Sequence, residues 1–235
     1  MSTALRPASL LPEVIKNLLI INGLVFLAQV VIDGLPALWG PVLQWLALWP
    51  AGTPDLAGSP SGPMPVPQFY VWQLVTTAFL HGGVMHLLFN MYSLFLFGSS
   101  VERELGTSRF LWVYGAAVLG SSLLQLAVTS APHLLGDPTP PPIGPTVGAS
   151  GGVMGVVAAC AILFPRTEIY IIPFPFPIQM RWLALGYVAL DLFGGFGVRD
   201  TGIAHFAHLG GFAAGALAIQ YWRGRLPIRP RTRLA

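Results

Sequence analysis

Charge is what this chain has least of: only 9% of its 235 residues are Asp, Glu, Lys or Arg. Soluble domains average about 25%, so a water-exposed globular surface cannot be built from this stock. Cysteine is nearly missing as well. Cys160 stands alone, which excludes an intramolecular disulfide framework. Low hydropathy is absent too: 27 Gly and 22 Pro notwithstanding, the mean hydropathy is +0.68, which excludes a disordered chain. What is present is apolar. With 54% hydrophobic residues the composition is that of a polytopic membrane protein. Five of the twelve cationic residues fall in the last thirteen positions, the pattern of a membrane-flanking tail, so no nucleic-acid partner is expected.

A spanning helix needs roughly 17–25 mostly apolar residues. Six segments read as spans: Asn17–Ile32, Leu80–Phe97, Phe110–Val128, Ser150–Phe164, Trp182–Phe196 and Ala204–Tyr221, the fourth being the shortest. The first starts behind Glu13 and Lys16 and lacks a cleavage site, unlike a removable signal. Alternating the loops puts Arg6, Lys16, Arg103, Arg109, Arg166, Arg181 and five tail arginines on one side, eleven against Arg199 alone. The excess of Lys and Arg predicts that side to be cytoplasmic. The expectation is an all-α membrane protein, a six-helix bundle with both termini in the cytoplasm. One membrane domain fills residues 1–235, with a short segment 1–16 before it and a basic tail 223–235 behind. The absence of a transit peptide points to a bacterial plasma membrane.

The outer loops are the long ones. Residues 33–79 contain no Lys or Arg, and the run LWGPVLQWLALWP suits a segment lying in the membrane interface. Residues 129–149 form a second Pro-rich loop.

Ionisable groups inside spans are costly and mark function by default. His81 and His86 fall in the second span, and His205 and His208 in the sixth. Asn90 follows His86 by four and shares its helix face. Ser150 opens the fourth span. Measured from the first cytoplasmic charge, Ser150 to Arg166 is 16 residues, His86 to Glu102 is 16 and His208 to Arg223 is 15. At 1.5 Å per residue all three lie about 22–24 Å above those anchors. Three polar side chains on three helices therefore share one depth, with Asn90 a turn deeper. The pairs Gly151/Gly155 and Gly211/Gly215 permit close helix approach beside Ser150 and His208.

Serine becomes a nucleophile when a base takes its proton, and a neutral imidazole can do so. The unpaired N–H groups at a helix start suit an oxyanion, to which His86 and Asn90 can add donors. The residues thus predict a Ser150–His208 dyad for acyl transfer inside the membrane, and no carboxylate is evidently placed to complete a triad.

The run His81-Gly-Gly-Val-Met-His86-Leu-Leu-Phe-Asn90 resembles the H-x4-H-x3-N signature of rhomboid intramembrane serine proteases. Gly148-Ala149-Ser150-Gly151 is similar to their GxSG, and Ala207-His208-Leu209-Gly210-Gly211-Phe212 to their AHxxGF. Order and spacing agree from about Trp72 to Gly215. The resemblance implies Ser150 as nucleophile and His208 as general base. It further implies an oxyanion hole from His86, Asn90 and the Ser150 N–H, with Gly148 and Ala149 beside it as oxyanion and substrate-binding residues. It implies transmembrane segments of other proteins as substrates, a water-filled cavity open to the outside, and a lateral gate at the fifth span and the loop near Arg199. No metal or organic cofactor is expected. Two departures stand out. Trp72 is followed by Gln73 where the family often has Arg, and Met154 occupies a position often aromatic, which is expected to tune activity.

Other polar residues read as structural. His81 lies about 140° around its helix from His86, and His205 has no family counterpart. His133 falls in a loop, Asp191 reads as a buried hydrogen-bonded carboxyl, and Glu102 as a structural position. Two rival readings are weaker. A zinc site from four histidines leaves Ser150 unexplained and lacks HExxH. A transporter or client-binding pseudoprotease fits poorly with both dyad residues present and no repeated halves. Substrate identity and oligomeric state are not legible in one chain.

Overall fold

The computed structural model describes residues 11–52, 56–57, 64–65, 67–136, 144–170, 176–196, 204–228, 230 and 234. Arg6, Arg199, Arg229, Arg231 and Arg233, the PTPPP part of the second outer loop and the side chain of His133 lie outside the described residues. The predicted gate loop near Arg199 falls there as well.

The first helix, α1 (Glu13–Asp33), begins four residues before the predicted span. Its first-turn amides have no partner within the helix. They are satisfied by Glu102, whose two carboxylate oxygens accept from Val14 N and Ile15 N at 2.9 Å each. Glu102 is thus a buried cap for a neighbouring helix rather than a charge in cytoplasmic water. A short helix α2 (Pro36–Leu46), which contains Pro41, starts the outer loop and is too short to span. The loop returns through α3 (Gln73–Thr76) and a 3-10 turn, Thr77–Phe79.

The second predicted span is one run, Val84–Leu105, made of α4 (Val84–Ser93), a π-helical turn Leu94–Gly98 and α5 (Ser99–Leu105). Gly98 lets Ile15 of α1 approach, since a Cβ there would overlap the Ile15 side chain. Next come α6 (Thr107–Leu134), α7 (Ser150–Leu163), α8 (Met180–Gly195) and α9 (His205–Trp222). Two antiparallel ladders, Leu56–Ala57 with Met64–Pro65 and Glu168–Ile169 with Ile178–Gln179, are the only sheets among the described residues.

By length and apolarity, three helices among the described residues qualify to cross a bilayer: Glu13–Asp33, Val84–Leu105 and Thr107–Pro132. Ser150–Leu163 is a shorter apolar helix with ten of its residues buried, so it lies at the centre of the bundle.

Contacts at the helix ends show how the bundle is threaded. Glu102 joins the end of α5 to the start of α1. The Arg223 guanidinium donates to Ile162 O at 2.9 Å, joining the ends of α9 and α7, and Arg109 at the start of α6 stacks over Trp222. Arg181 N donates to Pro165 O, which brings the start of α8 to the same end. Lys16, Arg103, Arg109, Arg166, Arg181 and Arg223 therefore gather at one end of the bundle, opposite the starts of α4, α7 and α9.

At that opposite end the non-helical backbone is tied down by side chains, as membrane depth demands. Gln29 accepts from His81 N at 3.0 Å and donates to His81 O at 3.1 Å. Gln73 is fully buried, accepting from Trp49 N and donating to Gln44 O and Gln68 O. The residue that departs from the family pattern is thus the knot of the outer loop. Trp45, Tyr70 and Trp72 stack beside it at 4.7–5.6 Å between ring centres.

Candidate active site

Ser150 is the first residue of α7, and the segment before it is fastened on two sides. Thr146 and Leu48 exchange both backbone hydrogen bonds, and Gly148 N donates to Thr77 O at 3.0 Å. The helix start has no side-chain cap, so the first-turn N–H groups remain available to a ligand. Gly148 has φ +131, a conformation that L side chains rarely adopt. A Cβ there would stand 2.7 Å from His86 Cε1 and 2.8 Å from His86 Nε2. Only glycine leaves open the space between His86 and Ser150.

His208 reaches Ser150 because α7 and α9 touch backbone to backbone. A Cβ on Gly211 would overlap the Gly151 carbonyl, and one on Gly215 the Gly155 carbonyl. The predicted small-residue pairs are the contact itself. Across it, His208 Nε2 lies 2.9 Å from Ser150 Oγ.

The other ring nitrogen of His208 meets a residue the sequence reading left out of the site. Asp191 Oδ1, on α8, lies 2.9 Å from His208 Nδ1 and 2.8 Å from His205 Nδ1. This corrects the expectation that no carboxylate stands behind the base, and it brings His205 to the same cluster. A lone carboxylate in an apolar span, with histidines three residues apart on the next helix, was the available signal.

On α4, Gly82 N donates to His86 Nδ1 at 3.2 Å, which leaves the proton of the neutral ring on Nε2, the atom facing Gly148. Asn90 is buried and donates to His86 O at 2.9 Å, keeping its second amide hydrogen and its oxygen free of that bond. His81 departs from the helical-wheel expectation. Gly82 and Gly83 delay the helix to Val84, so His81 stands before it, and its ring meets His86 edge-on at 5.2 Å between centres.

A cavity of about 940 Å³ opens over these groups. His86, Asn90, Ser150, Asp191, His205 and His208 line it, with Met154 and Tyr187 in its walls. Among the described residues, no group of three or more His, Cys, Asp or Glu side chains is arranged to hold a metal ion.

The family's sequence pattern for the Rhomboid domain matches residues 68–224, more than half of the chain. The chain belongs to the rhomboid family. This rhomboid is 34% identical over 145 residues to Rhomboid protein 1, mitochondrial, of Saccharomyces cerevisiae, covering 61% of this chain and 40% of that one. It is 32% identical over 156 residues to Rhomboid protease AarA of Providencia stuartii, covering 62% and 54%. With Rhomboid protease GluP of Bacillus subtilis it shares 29% over 154 residues, covering 63% and 26%. The chain therefore spans about a quarter to a half of the length of these relatives. With its apolar helices, family membership makes it a multi-pass membrane protein of a family that contains intramembrane proteases.

Proposed function

We propose that this rhomboid is a serine endopeptidase that hydrolyses peptide bonds in or beside transmembrane segments of other membrane proteins. The observation that carries the reading is the 2.9 Å contact between Ser150 Oγ and His208 Nε2 inside a large open cavity. Ser150 Oγ attacks the scissile carbonyl carbon while its proton passes to His208 Nε2. The carbonyl electron pair moves onto oxygen, and the oxyanion receives hydrogen bonds from the Ser150 N–H, His86 Nε2–H and the Asn90 amide. Gly148 and Ala149 shape the wall through which that oxygen enters. The C–N bond then breaks, the leaving nitrogen takes the proton from His208, and water repeats the sequence on the acyl-enzyme. Apart from the water consumed, every step uses this chain's side chains and backbone.

Access from the bilayer is proposed between α4 and α8, where Phe89 and Leu190 both line the cavity and stand 65% and 68% exposed. The cationic end of the bundle supports a six-span arrangement with cytoplasmic termini and a cavity facing away from the cytoplasm. A bacterial plasma membrane fits that reading and two of the relatives. The mitochondrial relative supports an organellar membrane as a second reading, with the same chemistry.

The test is cleavage of a single-span model protein in reconstituted vesicles. The wild type is expected to release two fragments with a new terminus in or next to the span. Ser150→Ala and His208→Ala are expected to release none while remaining folded. Equal cleavage by Ser150→Ala would overturn the mechanism.

A further inference from the structure

Asp191 is the one carboxylate within the predicted spans, and it is 5% exposed. A buried carboxylate is costly unless its oxygens are bonded. Here a single oxygen, Oδ1, faces Nδ1 of both His205 and His208. With Asp191 ionised, its oxygen only accepts hydrogen bonds, and each imidazole then places its neutral-state proton on Nδ1. For His208 the consequence is specific. Its Nε2 is left with a lone pair, and that lone pair faces Ser150 Oγ at 2.9 Å.

The approach that makes this possible is steric. A Cβ on Gly194 would overlap the His205 ring, so glycine at that point of α8 lets the imidazole settle against the helix that carries Asp191. His205 and His208 are three apart on α9 and meet edge-on at 6.5 Å between ring centres. One carboxylate oxygen therefore serves both rings.

We infer that Asp191 is a positioning residue for the proposed acyl transfer, turning the Ser150–His208 pair into a three-member triad, with His205 holding Asp191 in place. The inference rests on the proposed reading of Ser150 and His208. As Ser150 attacks, its proton moves to His208 Nε2 and the ring becomes an imidazolium. Asp191 stays ionised and its negative charge offsets the new positive one. As the C–N bond breaks, the same proton leaves Nε2 for the departing nitrogen. Asp191 gains and loses none. Without it the His208 proton can sit on Nε2, where the ring cannot accept from serine.

The experiment uses the full chain in detergent micelles, with the rate of modification by a fluorophosphonate probe and kcat and KM on the single-span substrate. Asp191→Asn keeps the shape and removes the charge. It is expected to lower both the labelling rate and kcat by on the order of 10²–10⁴-fold, as loss of the third member does in other serine hydrolases. KM is expected to stay near the wild-type value. His205→Gln, which leaves Asp191 on His208, is expected to cost no more than about tenfold, roughly 1.4 kcal/mol.

A readout on the wild type covers the case in which Asp191→Asn does not fold. In protein carrying ¹⁵N-histidine, with His205→Gln used for assignment, neutral His208 is expected in the Nδ1–H form. Finding the Nε2–H form, or an Asp191→Asn protein that labels and turns over at the wild-type rate, would overturn the role of Asp191 alone. A folded wild type that takes no label would instead overturn the serine-hydrolase reading, and the triad with it.

Discussion

The two sides of the candidate site are built in opposite ways. On one side, α7 and α9 meet through Gly151, Gly155, Gly211 and Gly215, and α6 joins them through Gly120 against Gly210. No side chain fits between those backbones, so neither helix can shift without collision. On the other side, α8 presents Leu190 and Phe193 outward, 68% and 82% exposed. The tight side carries Ser150 and His208, whose contact tolerates little error. The open side carries Asp191 and these exposed apolar side chains. In the proposed reading precision and access are thus assigned to different helices, joined by a carboxylate that reaches from the open side to His208 on the tight one.

Crowding the tight side is the most damaging way to break this contrast. Gly211→Leu would drive a side chain into the Gly151 backbone, which cannot yield as a flexible side chain can. Overpacking of this kind costs about 1–3 kcal/mol or more. The variant is expected to lose cleavage entirely and to unfold at a lower temperature in micelles. A wild-type melting profile would show that α7 and α9 are not held as described.

Next in size is Asn90→Ala, within the site but away from the glycine contact. Losing one oxyanion donor typically lowers kcat by about 10²–10³-fold. Here KM should barely change and the protein should stay folded, which steady-state kinetics and a thermal scan check together. The smallest effect belongs to the open side. Leu190→Ala removes a side chain that the fold hardly uses, so stability should remain within about 0.5 kcal/mol. KM for an apolar span should rise by less than about tenfold, through lost contact with substrate. A large fall in stability would mean that α8 is packed, not open.

Much of this was legible in the sequence, for physical reasons. Ser150, His86 and His208 announce themselves as polar groups at equal depth in apolar segments, and the glycine spacings state which helices touch. Asp191 was harder. It is equally anomalous in its span, but its partners lie on the next helix, beyond a loop whose length hides the register between α8 and α9. The direction of His81 was not legible because a helical wheel presumes a helix, and Gly82 and Gly83 postpone it to Val84. Glu102 served as a depth marker for a water boundary, yet it is buried as the cap of α1. Caps donated across the chain leave no local pattern. Gln73, a substitution in the family motif, shows its use only when Gln44, Trp49 and Gln68 of the outer loop are seen to converge on one amide.

The most direct test of the central claim is covalent labelling of the purified chain with a fluorophosphonate, followed by mapping of the modified residue. Modification at Ser150 alone, lost in both Ser150→Ala and His208→Ala, is the predicted result. Labelling that persists in folded Ser150→Ala, or a folded wild type that takes no label, would contradict it.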